Sequence, residues 1–283
     1  MKPATAEAVV PLVELPFTSR YDPAALAALF ILTLRQHLRG RRLLILSLLF
    51  LLPSVLAAVV RLAPHPPGPE ELEFAFIFNF IPHALVPLVA LLYAAGMIQD
   101  EVEEQTLTYL LMRPLPRRAL YITRLLATWL MTAGVTGIFT TLAYAVIWWG
   151  NAELWENVLP VKAAKTAGLL ALAQLGYCSL FGAIGLFTRR SLFTGLAYIV
   201  AFEGLLANIP MVVRQLTVMY YFRVLAARWL APAHGDVWSL ELDTAPSNAA
   251  CLRILLIGSA VFTLVGAQMM ARQEFRMKTP DGS

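Results

Sequence analysis

Charge is what this chain has least of. Asp, Glu, Lys and Arg make up 14% of its 283 residues, whereas soluble globular domains carry roughly 25%. A soluble fold of this size needs far more polar surface, so that class is excluded. Cysteine is nearly absent. Cys178 and Cys251 both lie in apolar runs, which leaves no disulfide framework and no CxxC metal pair. The four histidines, His37, His65, His83 and His234, are scattered, and neither HExxH nor GxSxG occurs. The usual marks of an intramembrane metalloprotease or serine hydrolase are therefore missing. No GxxxxGK[ST] occurs either, so the chain has no phosphate-cradling loop of its own. The opening stretch MKPATAEAVVPLVELP has interleaved prolines and no continuous apolar core, and does not read as a signal peptide.

What is present is grease. Hydrophobic residues make up 59% of the chain, and its mean hydropathy is +0.67. A helix needs about 20 apolar residues to cross the hydrocarbon. Six runs qualify, near 43–62, 76–98, 121–149, 166–188, 192–210 and 251–271. They are continuous rather than alternating, which favours helices over a barrel. The fold class is thus an all-α polytopic membrane protein with six transmembrane helices. Residues 22–271 form one transmembrane domain between a 1–21 tail and a 272–283 tail.

Positive charge sets the orientation. With six spans both termini share a side, and that side holds 15 of the 22 Lys and Arg residues against 7 opposite. The termini are expected to be cytoplasmic, in a multi-pass protein of the cell (inner) membrane. The net charge of +4 is accounted for by this asymmetry and does not indicate nucleic acid. Before the first span, Asp22 suits an N-cap, Pro23 a first helical position and Gly40 a helix end. Residues 23–39 therefore read as an interfacial elbow helix. After the fifth span, 211–230 is amphipathic and aromatic, with Arg214, Arg223 and Arg228 along it. It reads as a re-entrant or interfacial helix on the outer face, followed by an exposed loop over APAHGDVWSLELDTAPSN.

One short segment departs from this pattern. Residues 99–118 read QDEVEEQTLTYLLMRPLPRR. Leu107, Leu110 and Leu111 make one apolar helical face. Asp100, Glu101, Glu103 and Glu104 fall where a helix dipole favours negative charge, and Arg113 where it favours positive charge. Pro114 and Pro116 stop the helix, and a second helix can begin at Pro116 and run through Arg117 into the third span. The product is a short amphipathic helix over 99–113 along the membrane, acidic at one end and basic at the other. A bare loop is enough to connect two spans, whereas this segment is suited to docking a soluble partner.

The stretch 98–118 resembles the signature of ABC transporter permeases of the type-2 exporter class: acidic residues, a Thr-Leu pair, two leucines, a proline and a basic residue, leading into the third span. Here those positions are Asp100, Glu101, Glu103, Thr106, Leu107, Leu110, Leu111, Pro114 and Arg117. The family often has Gly before the Thr-Leu pair, where this chain has Gln105. The resemblance implies a membrane subunit that is not itself an enzyme. A separate ABC ATPase with a Walker A loop would bind ATP and Mg and would dock on the elbow and the 99–113 coupling helix. Asp100, Glu101, Glu103, Glu104, Leu107, Leu110, Arg113 and Arg117 are the coupling residues it points to. It also implies a second permease copy, as homodimer or heterodimer.

Polar residues inside the spans are candidate sites by default. Glu203 lies in the fifth span, where it would line a path or fix packing. Asn79 and His83 share a face of the second span, one turn apart, and suit an interhelical hydrogen bond better than a polar path. Gly182 and Gly185 suggest close helix packing. Two other classes remain: an ion-coupled secondary transporter, which should show paired intramembrane ionisable groups, and an intramembrane enzyme. No internal repeat favours the former.

Overall fold

The computed structural model describes residues 23–97, 116–188, 190–205, 212–238 and 240–272. Among the described residues every regular element is helical. Helix α1, Pro23–Arg39, opens on a proline, whose missing N–H costs nothing there, and closes on His37 and Arg39, which complement the negative helix end. Gly40 is extended (φ −72°, ψ 142°) and separates α1 from α2, Arg41–Arg61. Asp22, the expected N-cap, lies outside the described residues.

Helix α3, Pro69–Ala94, begins earlier than the apolar run suggests. Pro69 sits in its first turn with Glu70 and Glu71, a favourable placement at a positive helix end. From Glu73 to Leu85 the winding widens to a π-helix that contains Pro82. A proline ring crowds the carbonyl one turn back and offers no N–H, and a wider turn accommodates both. Helix α4, Arg117–Ile147, starts directly after Pro116. Its 31 residues span about 46 Å, more than the hydrocarbon thickness of about 30 Å. The side where α3 ends and α4 begins is the junction side below.

The connection after α4 contains a short helix α5, Ala152–Asn157. Helix α6, Leu159–Phe187, follows at once. Helix α7, Ser191–Leu205, is apolar but shorter than the span-length helices, and its Ile199–Leu205 portion is again π-helical. Helix α8, Val218–Leu230, is capped by Thr217, whose hydroxyl accepts from the Tyr220 N–H at 3.2 Å. Helix α9, Asn248–Arg272, ends the described chain. Five helices, all but α1, α5, α7 and α8, are long and apolar enough to cross a membrane. The fifth expected span, 192–210, corresponds to α7, and residues 206–211 lie outside the described residues.

Helix α6 is the centre. In its most apolar stretch 78% of residues are buried, against 28% for α2 and 22% for α9, and it packs against α3, α4, α7, α8 and α9. The peripheral helices turn apolar faces outward: Leu44, Ile45, Leu48 and Val59 on α2, and Ile257, Val261 and Leu264 on α9, are exposed. That surface is what lipid solvates. Close approach to α6 is set by glycine. A Cβ at Gly185 would lie 2.5 Å from the Ala95 carbonyl oxygen, and one at Gly182 2.9 Å from the Tyr121 hydroxyl. Backbone contact of this kind is open only to the smallest residues.

Candidate functional site

Helix α8 does not cross the fold. Its 13 residues span about 20 Å. Its first residue, Val218, packs at Gly176 of α6, whose added Cβ would lie 3.4 Å from it, with Ser259 of α9 alongside. Gly176 and Ser259 both lie in the interiors of their helices. The other end of α8 is pinned on the side opposite the junction. Arg228 donates to the carbonyls of Pro246 at 2.6 Å, Leu242 at 2.8 Å and Ala245 at 3.1 Å. Helix α8 is therefore re-entrant in shape, with its positive end held in the interior.

Around that positive end the structure gathers the intramembrane polar residues. Arg223 on α8 is 7% exposed, and Glu203 on α7 is 2% exposed. The Arg223 guanidinium donates to His83 Nε2 on α3. His83 Nδ1 is 2.9 Å from the Asn79 carbonyl, which assigns the ring proton to Nδ1 and leaves Nε2 as acceptor. Asn79 Oδ1 accepts from the Trp238 indole at 3.1 Å, and its amide donates to the Phe74 carbonyl at 3.2 Å. Glu203 faces the Tyr177 hydroxyl, the Val218 and Met219 backbone at the start of α8, and Arg223. Arg223 thus joins α8 to α3, and Glu203 of α7 lies buried within electrostatic reach of it. Both π-helical stretches lie here, one carrying Asn79 and His83, the other Glu203. Widened turns of this kind often mark functional positions.

A second assembly lies on the junction side. Arg124 of α4 is 2% exposed and donates to the Met97 carbonyl at 2.9 Å. One turn further, the Thr128 hydroxyl lies 3.0 Å from His37 Nε2. The His37 ring meets Tyr93 edge-on, with centroids 4.9 Å apart. The end of α1, the end of α3 and the start of α4 are therefore joined pairwise.

A family model for ABC-2 family transporter proteins matches residues 27–274. The chain belongs to that family. A search of curated proteins finds no match. The matched region covers both assemblies, so each belongs to the body of an ABC-2 permease. Of the coupling residues expected from sequence, Asp100, Glu101, Glu103, Glu104, Leu107, Leu110 and Arg113 lie outside the described residues. Arg117 is described, exposed, in the first turn of α4. Asn79 and His83 are hydrogen-bonded to Trp238 and Arg223, and Glu203 is buried on the neighbouring α7.

Sequence reasoning missed several members of the permease's polar framework. Arg223 sits in a segment that reads as amphipathic and either re-entrant or interfacial. Trp238 is 7% exposed although the loop around it was expected to be open. Glu73 is 3% exposed and holds Lys162 at 2.5 Å, the Trp148 indole at 3.0 Å and the Tyr144 hydroxyl at 3.5 Å. The signal was available in part: an acidic residue followed at once by an apolar run, opposite the lysine-bearing start of α6. Among the described residues no three His, Cys, Asp or Glu side chains gather as a metal site.

Proposed function

We propose that this chain is the membrane-spanning permease subunit of an ATP-driven exporter, working with a separate ABC ATPase. The observation that carries this reading is membership of the ABC-2 family across residues 27–274 in a chain without a phosphate-binding loop. The junction side is assigned to the cytoplasm because it holds the larger share of Lys and Arg. Helix α1 is then the elbow, and 99–113 the coupling helix that meets the ATPase. ATP and its magnesium ion bind the partner subunit. Two permease copies pair, and closure of two ATPases shifts their spans to open an outward path.

Charge reversal tests the docking role. Glu103→Lys with Glu104→Lys is expected to leave insertion intact and to uncouple ATP hydrolysis from transport. In the purified complex, the difference in ATP turnover between bound and isolated ATPase should fall about tenfold, the scale of lost interfacial charge pairs. Unchanged turnover with normal assembly contradicts the assignment.

The Arg223–His83 contact with buried Glu203 close by favours an ion-coupled carrier, because it supplies ionisable groups inside the spans. The family match weighs against that reading. Transport that persists without ATP and collapses with the proton gradient would restore it.

A further inference from the structure

The junction-side assembly is built as a rigid corner, and its members reach beyond anchoring. Met97, held by Arg124, is the last described residue before the charged 98–115 segment. Met97 lies just past Ala94, the last residue of α3, and the buried Arg124 guanidinium on its carbonyl ties that connection to α4. A buried arginine is costly, so a role limited to tying down a loop would be met by a neutral donor. The second contact lies one turn along α4, where the hydroxyl of Thr128, itself fully buried, meets His37 of α1. His37 closes the triangle by packing on Tyr93, one turn before Met97 on α3.

This corner abuts the central helix directly. The Met97 methyl lies 3.1 Å from where a Cβ at Gly182 of α6 would stand, and the Ala95 carbonyl 2.5 Å from one at Gly185. Little slack separates the end of α3 from the interior of α6.

We infer that Arg124 and His37 are positioning residues for coupling: they lock the root of the coupling segment and the end of α1 to α4, so that force applied by the ATPase reaches α6. The inference rests on the exporter reading above. The test uses the full permease–ATPase complex in nanodiscs, with spin labels at the exposed positions His65 and Asp243 on the side opposite the junction. Three readouts are taken: ATPase stoichiometry, ATP turnover, and the change in label distance on nucleotide binding. Arg124→Gln should keep stoichiometry and hydrolysis yet shrink the distance change about fivefold. Arg124→Lys, which can still donate to the Met97 carbonyl, should regain most of it. His37→Leu, at a half-buried site, should give an intermediate loss and serves as the readout if Arg124→Gln does not fold. A full-sized distance change in Arg124→Gln, or in His37→Leu if Arg124→Gln does not fold, overturns the inference while leaving the exporter reading intact. A wild-type chain that purifies without any ATPase removes both.

Discussion

Arg223 shows most clearly how a single residue organises this molecule. It lies nearly buried among apolar helices, and its surroundings supply a carboxylate, a neutral imidazole and a hydroxyl. Removing one partner of a buried pair leaves the other charge uncompensated, at a cost of about 3–5 kcal/mol. Arg223→Met should therefore lower thermal stability in detergent strongly, and adding Glu203→Gln should restore much of the loss. Additive losses in that double-mutant cycle would show that the two side chains do not interact. The same reasoning applies to Lys162→Met, which strips the 2.5 Å partner from buried Glu73 but leaves two neutral donors. Its expected cost is smaller, about 2 kcal/mol, measured by the same melt. Glu203 was legible in the sequence because a carboxylate in an apolar run stands out. The place of Arg223 was legible only in part, because a re-entrant and an interfacial course were both open for 211–230 and only the first buries it.

At the scale of elements, the long apolar helices were legible, and close packing was legible only in part. Gly182 and Gly185 fall close together on one helix and form a recognisable small-residue patch. Gly195 and Gly266 are isolated, yet Cβ atoms there would come within 2.1 Å of Leu91 and 2.2 Å of Tyr121. A lone glycine in an apolar helix says nothing about which neighbour presses on it. A paired substitution tests this packing. Gly185→Ala should destabilise by about 1–3 kcal/mol, because the obstructing atom is backbone. Gly134→Ala on α4, where a Cβ meets nothing within 4 Å, should be neutral or slightly stabilising. Equal melting temperatures for the two variants would contradict the α3–α6 contact. The π-helical stretches were not legible. One stretch contains Pro82, but seven residues over Ile199–Leu205 widen without any proline inside them.

Across the whole molecule, composition and charge asymmetry carried the class, and the structure adds a centre and two ends. Helix α6 occupies the centre. On one side, Arg223 joins the re-entrant α8 to α3. On the other, Arg124 and His37 tie the ends of α1 and α3 to α4. Arg118 adds a link at the junction side, donating to Gln268 of α9 at 2.9 Å. A permease must pass movement from one face to the other, and this arrangement supplies tightly packed contacts along that line. The central claim is that the movement originates in a separate ATPase. The most direct test is gentle-detergent purification of the tagged chain from its native membrane after crosslinking, with mass spectrometry of its partners. The expected result is a stoichiometric partner chain carrying a Walker A loop. A chain that purifies clean of any such ATPase would contradict the claim and make Glu203 and Arg223 the next object of study.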